Sequence, residues 1–218
     1  MRCLIALLAA TLVFGQLSMW AVAADAPQPD KDGFYSLWDG KTLDDWKVGK
    51  NANSFKVADG MIIVNGPVAH LFYVGPVHNH DFKDFHFKAE VMTYPKANSG
   101  IYFHTKFQEE SWPAQGFEAQ VNNSHSDWRR TASLYAVKDV KEQVAQDNKW
   151  FLYEIIVKGN DITISIDGKP VMQFTQTADY KPPEGMPGRQ LSHGTFALQG
   201  HDPGSKVCYR NIMVKPLD

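Results

Sequence analysis

Polar and apolar side chains alternate in two segments of this sequence, and the polar set includes groups capable of acid–base chemistry. Residues 101–104 read Ile-Tyr-Phe-His, and residues 117–122 read Phe-Glu-Ala-Gln-Val-Asn. Successive side chains of a β-strand point to opposite faces, so we expect Tyr102, His104 and Glu118 on one open face. A carboxylate beside an imidazole can serve as general base and general acid, or as part of a metal site.

A third segment, near the end of the chain, extends the same pattern. Phe196 and Leu198 are predicted to face the core, which turns Gln199 and His201 to the opposite side, where Gln120 is also expected. If the three strands are neighbours in one sheet, its open face carries a carboxylate, two imidazoles, amides and tyrosines. An ordinary solvated sheet face is the alternative interpretation.

Two tracts that combine acids with a tryptophan could form a rim above this face. They are residues 109–112, which end in Trp112, and residues 127–130, which contain Trp128. Each could stack a sugar ring, and each could equally be a solvated loop anchored by its tryptophan. The sequence contains no Gly-rich phosphate loop, no G-x-S-x-G elbow, no CxxC and no HExxH motif.

A divalent metal ion is an open prediction for the polar face. Two histidines with one glutamate would suit Zn²⁺, whereas a carboxylate with amide oxygens would suit Ca²⁺. The residue types favour neither ion over the other.

The elements that would position these residues are short and rich in β-branched and aromatic residues, and turn-forming residues separate them. The predicted fold class is all-β, an antiparallel β-sandwich or jelly roll. Only residues 140–148 look weakly helical, and no helix of crossover length separates the strands, which excludes a parallel βαβ sheet. The predicted strands are 54–57, 61–64, 70–74, 85–94, 100–105, 117–122, 133–137, 150–158, 161–166, 171–175, 195–199 and 206–215.

Charge and composition exclude several functional classes. The 22 Lys and Arg residues nearly balance the 24 Asp and Glu residues, and 44% of the chain is hydrophobic. This composition is not that of a disordered polyelectrolyte or a strongly basic nucleic-acid binder. No nucleic-acid partner is therefore expected.

The amino terminus has the pattern of a secretory signal peptide. Arg2 precedes an apolar run, and small residues follow it before Asp25, which predicts a signal peptide over 1–23. The run is too short to span a membrane, so we expect an exported protein, periplasmic or extracellular, with no membrane span. A flexible tail over 24–32 and one domain over 33–218 would follow. Cys208 would be the one cysteine left, and we expect it to be a small buried residue.

Several motifs in order resemble those of the 3-keto-disaccharide hydrolase domain family. The opening segment 33–46 reads Gly-Phe-Tyr-Ser-Leu-Trp-Asp-Gly-Lys-Thr-Leu-Asp-Asp-Trp, and segment 98–103 reads Asn-Ser-Gly-Ile-Tyr-Phe. Later matches are the Gly-Phe-Glu-Ala-Gln of 116–120, the Leu-Tyr pair that ends at Tyr135, and the Ala-Leu-Gln-Gly-His of 197–201. The chain departs from the family pattern at His104, where Arg is common, and at the residues that flank the Leu-Tyr pair.

The resemblance implies a concanavalin A-like jelly roll and a substrate class, glycosides already oxidised at C3 of the sugar ring. A C3 ketone acidifies the C2 proton, so a base can remove it, the glycosidic oxygen can leave C1, and water can add back. Such a route needs one base, one acid and a group that holds the enolate charge. Ordinary glycosidases instead need two carboxylates at a fixed separation.

This chemistry assigns expected roles to the polar face. The catalytic candidates are Glu118, as base or metal ligand, with His104 and His201 as acid, base or ligand. The substrate-binding candidates are Gln120, Tyr102, Tyr135, Gln199, Trp112 and Trp128. Two other functions stay open: a carbohydrate-binding module without catalysis, and a lyase or hydratase that performs only the elimination or hydration half-reaction.

Overall fold

A computed structural model describes residues 27–217, and the regular secondary structure in this range is almost entirely β-strand. The predicted signal peptide, 1–23, and the first three residues of the predicted tail lie outside the described residues. Two 3-10 turns, Ala52–Ser54 and Val77–His80, accompany the strands. The strands are β1 Tyr35–Ser36, β2 Trp46–Val48, β3 Phe55–Ala58, β4 Met61–Val64, β5 Ala69–Tyr73, β6 Phe85–Thr93, β7 Ser99–Thr105, β8 Phe117–Val121, β9 Phe151–Lys158, β10 Asp161–Ile166, β11 Lys169–Thr175, β12 Thr195–Gly200 and β13 Val207–Pro216.

The strands form two antiparallel sheets packed as a sandwich, which confirms the predicted fold class. One sheet has the order β11-β10-β9-β6-β13-β4-β3, with β1 added beside β13. The other, the five-stranded sheet, has the order β2-β5-β12-β7-β8. Sequence-distant strands such as β5 and β12 are neighbours in it, so residues far apart in the sequence meet on one face.

The core lies between the sheets and is filled by the apolar side chains that the alternation predicted. On β6 every second residue from Phe85 is buried, while those between them are partly exposed. Phe196 of β12 packs from the other sheet against Phe85 and Phe87, with both ring-centre separations 4.8 Å. Cys208 is also buried, as expected.

Two sequence predictions of secondary structure were wrong. Residues 133–137 form no strand, although Leu134 makes single β-bridges to Ala119 and Lys138. Positive φ angles at Ala132 (74°) and Ala136 (61°) turn the backbone away from an extended course on either side. Residues 140–148 form turns and irregular structure rather than a helix.

Within residues 27–217 the chain has no apolar helix of membrane-crossing length.

Candidate active site

The outer face of the five-stranded sheet forms the floor of a cleft of about 400 Å³. The pairing of neighbouring strands arranges the residues of this floor in rows. Tyr102 of β7 lies opposite Glu118 of β8, and Ala197 of β12 lies on the other side of Tyr102. In the next row Gly100 lies opposite Gln120. Directly opposed residues in a sheet share a face, so the register brings together polar groups from three strands.

Glu118 is the central group of the floor, and it is buried. Tyr102 Oη donates a hydrogen bond of 2.6 Å to Glu118 Oε2, and Gln199 Nε2 donates one of 2.8 Å to Oε1. Gln199 Nε2 also lies 3.2 Å from Tyr102 Oη. The sequence prediction that Glu118, Tyr102 and Gln199 share one face is therefore met in the structure.

Gly100 gives the Glu118 carboxylate its space. A Cβ atom at position 100 would lie 2.7 Å from Glu118 Oε1 and 2.9 Å from Glu118 Cγ, closer than real Cβ atoms approach. Glycine in a strand interior costs conformational entropy, so its presence here is explained by the close approach of the carboxylate.

Arg189 completes the charged centre, and sequence reasoning missed it. Its Nη2 lies 3.6 Å from Glu118 Oε2, its Nη1 donates to the Gly116 carbonyl at 3.0 Å, and its guanidinium lies over the Tyr102 ring at 5.1 Å. The side chain is buried. Arg189 comes from the connection between β11 and β12, where no periodic pattern could point to its direction.

The Arg189 loop is fixed to the loop that carries Trp112. The Gly116 backbone N–H donates to the Gly188 carbonyl at 3.0 Å, and a Cβ at position 188 would meet the Ala114 carbonyl at 1.9 Å. Tyr180 Oη donates to the Arg189 carbonyl at 2.7 Å. The guanidinium is thus held over the floor by two packed connections.

Burial dominates the electrostatics of the centre. It raises the pKa of the Glu118 carboxyl above its ordinary value, although the Tyr102 and Gln199 hydrogen bonds and the Arg189 charge act to lower it. Burial and the adjacent Glu118 charge raise the pKa of Tyr102 well above that of a free tyrosine. The result is a single buried carboxylate with a raised pKa next to a fixed positive charge.

Two amide oxygens on the floor have no hydrogen-bond partner among residues 27–217. Gln120 donates through Nε2 to Asn98 Oδ1 at 3.0 Å, yet its Oε1 is buried and unpartnered. Gln199 Oε1 is buried and unpartnered as well. A buried acceptor without a donor costs free energy, so both oxygens are suited to hydroxyl groups of a ligand.

His201 and Trp112 line the cleft. His201 Nδ1 lies 2.8 Å from Asp202 Oδ2, and its ring packs against the Trp112 ring at 5.5 Å. Because a carboxylate only accepts, Nδ1 donates to Asp202, and Nε2 is the ring nitrogen left for a ligand, an acceptor in the neutral ring and a donor in the imidazolium. Asp202 is itself held by the Gly204 N–H and the Ser205 hydroxyl, at 2.8 and 2.7 Å.

Two predicted site residues lie elsewhere. His104 has a positive φ of 55°, and its ring packs against Phe85 and Phe103 rather than in the cleft. Its Nε2 lies 2.8 Å from the Lys83 carbonyl, and its Nδ1 accepts from the Ser192 N–H at 3.2 Å. The prediction that His104 shares the open face with Glu118 was wrong, because the left-handed backbone and a register shift of the β7–β12 pair break the alternation there.

Trp128 is also outside the cleft lining, whereas Tyr135 is in it. The Arg129 guanidinium lies over both rings, 4.8 Å from the centre of Trp128 and 4.6 Å from that of Tyr135. Trp128 is therefore a half-exposed neighbour of the rim, and Asp127 of the same tract lines the cleft in its place.

The residues predicted to form a metal site do not lie together in the structure. With His104 turned away, the histidines and Glu118 do not form one ligand set. A different trio, His125, His201 and Asp202, places one candidate ligand atom of each within 4.8 Å of the others. His125 Nδ1 already accepts from the Asp127 N–H at 3.0 Å, so internal hydrogen bonds account for this trio.

The sequence matches a known family over nearly the whole described domain. A family model described as the 3-keto-alpha-glucoside-1,2-lyase-like domain matches residues 33–215. The chain belongs to this family. The resemblance predicted from the motifs is confirmed, and with it a carbohydrate-related role. No match was found among curated protein sequences.

Solved structures share the fold of this family member at low sequence identity. A candidate glycosyl hydrolase from Parabacteroides distasonis is 23% identical, with a TM-score of 0.72 over 86% of this chain and 95% of its own. The carbohydrate-binding module CBM66 from Bacillus subtilis is 13% identical, with a TM-score of 0.54 over 78% and 95%. A non-specific endo-beta-1,3(4)-glucanase is 12% identical, with a TM-score of 0.51 over 86% and 93%.

Proposed function

We propose that the protein cleaves the glycosidic bond of sugars oxidised at C3, by removal of the C2 proton and elimination of the C1 oxygen. The observation that carries this proposal is the buried pair of Glu118 and Arg189 at the floor of the cleft. A base next to a fixed positive charge is the arrangement that enolate formation needs.

Glu118 is the base in this proposal. Its raised pKa makes it a stronger base than a solvated glutamate, and a carboxyl group is most effective when its pKa approaches the working pH. The bonds from Tyr102 and Gln199 fix the carboxylate, so the reacting oxygen needs little reorganisation.

Arg189 stabilises the enolate. When the C2 proton moves to Glu118, the ketone at the neighbouring C3 takes up the negative charge, which develops on the C3 oxygen. Arg189 Nη2 lies 3.6 Å from Glu118 Oε2, too far for a strong hydrogen bond. Because Nη2 makes no strong bond to Glu118, it can donate to the ketone oxygen of the substrate. The C2 proton would then lie at the Glu118 carboxylate.

His201 serves as the acid for the leaving oxygen. Asp202 holds Nδ1, so Nε2 is the nitrogen that exchanges a proton with the substrate. Gln120 and Gln199 accept hydrogen bonds from sugar hydroxyls through their unpartnered oxygens. Trp112, with 44% of its surface exposed, offers a ring face for stacking.

The steps balance as a net hydrolysis. The C2 proton passes to Glu118, the C1–O bond breaks, and the leaving oxygen takes a proton from His201. Water then adds at C1 of the resulting enone and gives its proton to His201, while Glu118 returns its proton to C2, so both residues end as they began. A lyase would release the enone without adding water. The description of the family as lyase-like favours this shorter reaction.

A carbohydrate-binding module is the second candidate function. The shared fold with CBM66 supports it, since that protein is itself a carbohydrate-binding module. Binding would need the amide oxygens and Trp112 but no base of raised pKa, so the buried Glu118 favours catalysis.

We also propose that the protein acts outside the cytoplasm, in the periplasm or the medium. The sequence pattern of residues 1–23 supports this location.

The test compares one disaccharide in two forms, oxidised at C3 and unoxidised, followed by NMR. We expect release of the 3-keto sugar, or its enone, from the oxidised form only. Cleavage of both forms would contradict the proposal and indicate an ordinary glycosidase, for which Asp127 could supply the second carboxylate. Binding of both forms without cleavage would indicate a carbohydrate-binding module.

A further inference from the structure

A chain of two hydroxyl groups lies beneath the cleft floor, in the core between the two sheets. Ser99 Oγ donates a hydrogen bond of 2.6 Å to the backbone carbonyl of Gln199, and it lies 2.7 Å from Tyr209 Oη. The single proton of the serine hydroxyl is used on the carbonyl, which can only accept, so Tyr209 must donate to Ser99. The hydroxyl chain therefore runs in one direction, from the tyrosine through the serine to Gln199.

The members of the hydroxyl chain come from both sheets. Tyr209 belongs to β13, which lies between β6 and β4 in the larger sheet. Ser99 is the first residue of β7, and the next residue, Gly100, is the one that gives the Glu118 carboxylate its space. The hydroxyl chain thus connects the larger sheet to the five-stranded sheet at the strand that carries Gln199.

Packing does not account for these two hydroxyls. Tyr209 and Ser99 are fully buried, Gln199 is 1% exposed, and the core around them is apolar. A buried hydroxyl costs free energy unless it is hydrogen-bonded, and an apolar pair in its place is often neutral or stabilising. The feature that explains them is the Gln199 carbonyl, which they hold in place.

The position of Gln199 matters because its side chain binds Glu118. Gln199 Nε2 donates to Glu118 Oε1 at 2.8 Å. Hydrogen bonds weaken steeply as their geometry departs from the ideal, so a small shift of the Gln199 backbone would weaken this bond. Because the bond lowers the pKa of Glu118 by stabilising the ionised form, weakening it would raise that pKa further.

We propose that Ser99 and Tyr209 are positioning residues for Gln199 and, through it, for the Glu118 carboxylate. The catalytic role of that carboxylate rests on the proposed function, whereas its ionisation can be measured without any reaction. The larger sheet then acts on the chemistry of the cleft through two hydroxyl groups that never touch the substrate.

Other groups also act on the ionisation of Glu118, and the test leaves them in place. They are Arg189 and Tyr102 at the carboxylate, His201 in the cleft, Tyr135 beside it and Tyr153 in the core. Burial raises the pKa of Tyr209 itself above that of a free tyrosine, so Tyr209→Phe removes a neutral hydroxyl and no charge.

The test is the pH titration of the Glu118 carboxyl carbon by ¹³C NMR in the full-length protein, with Glu118→Gln to identify its resonance. Ser99→Ala should raise the titration midpoint by roughly 0.5 pH unit, part of the roughly 1–2 units that a hydrogen bond to a charged group is worth. Tyr209→Phe should raise it by less, because the serine bond remains. In both variants the fall of kcat/KM on the acid side should move by the same amount as the midpoint.

Two matched controls separate positioning from a general disturbance of the core. Ser54→Ala removes a buried serine hydroxyl that donates to the Pro67 carbonyl at 2.9 Å. Tyr153→Phe removes a buried tyrosine hydroxyl that donates to the Gln120 carbonyl at 3.1 Å. Both should leave the Glu118 midpoint as in the wild type. A shift in Tyr153→Phe as large as that in Ser99→Ala would overturn the inference, because loss of any core hydroxyl would then act on Glu118.

The remaining outcomes separate this inference from the proposed function. An unmoved midpoint in Ser99→Ala, with a cooperative thermal transition retained, overturns the inference and leaves the proposed function intact. If Ser99→Ala does not fold, the presence or absence of an upward shift in Tyr209→Phe decides in its place. If the wild-type protein turns over no 3-keto disaccharide, the proposed function fails, and the titration still decides whether Ser99 positions Gln199.

Discussion

At the scale of single residues, the chemistry depends on how Glu118 is kept basic and ionisable in a buried site. Desolvation raises its pKa, and Tyr102, Arg189 and Gln199 offset part of that effect. Glu118 was predictable because alternation alone assigns a strand residue to a face. Arg189 was not predictable, since a loop residue acquires its direction only from contacts such as the one between Gly188 and Ala114.

Removing the positive charge of Arg189 should change the pH profile of the reaction. Glu118 must be ionised to act as base, so kcat/KM falls as the pH falls through its raised pKa. In Arg189→Gln the charge that lowers this pKa is gone, so the fall of kcat/KM on the acid side should move to higher pH. The plateau value of kcat/KM should also be lower, because the enolate loses the positive charge that stabilises it. The measurement is kcat/KM against pH for the 3-keto disaccharide.

The matched control is Arg210→Gln, in the other sheet, where Arg210 pairs with Glu90. Arg210→Gln should leave unchanged both the pH at which kcat/KM falls on the acid side and the plateau value of kcat/KM. A lower plateau in Arg189→Gln with an unmoved acid limb would mean that the limb reports a group other than Glu118.

At the scale of strands and loops, register explains which predictions succeeded. Tyr102 and Glu118 pair regularly between β7 and β8, and Gln199 pairs regularly between β12 and β5, so period-two alternation described them correctly. His104 lies at the end of β7, where a positive φ turns the chain, and the pattern fails. Sequence alone shows a strand and its faces, but it does not show where a register shift begins.

Gly100 tests how closely β7 must approach the carboxylate. Gly100→Ala would place a methyl group against Glu118 Oε1, so the carboxylate must move. A misplacement of about 1 Å can cost about 10²-fold in rate. We therefore expect kcat/KM to fall by at least about tenfold, with a cooperative thermal transition retained.

Gly200→Ala on β12 is the control, because a Cβ there would make only ordinary contacts, the nearest at 3.5 Å. It should retain near wild-type kcat/KM. Equal activity in the two variants would show that the space at Gly100 is not needed for catalysis.

At the scale of the whole molecule, one sheet mainly supplies support and the other supplies chemistry. The larger sheet packs its apolar face against the five-stranded sheet, whose outer face then carries the polar centre. The sandwich was predictable from short alternating segments and turns. The loops that complete the cleft, residues 106–116 and 176–194, carry no periodic pattern, so their course over the floor had to come from the structure.

The most direct test of the proposed reaction is exchange of the C2 proton of a 3-keto disaccharide with solvent deuterium, followed by NMR. The wild-type protein should introduce deuterium at C2 and cleave the sugar. Glu118→Gln, nearly isosteric, should lower both rates by about 10²–10⁴-fold, the usual contribution of a general base. Glu154→Gln, in the other sheet, should retain both. Release of the 3-keto sugar without deuterium at C2, or cleavage that survives in Glu118→Gln, would contradict the account.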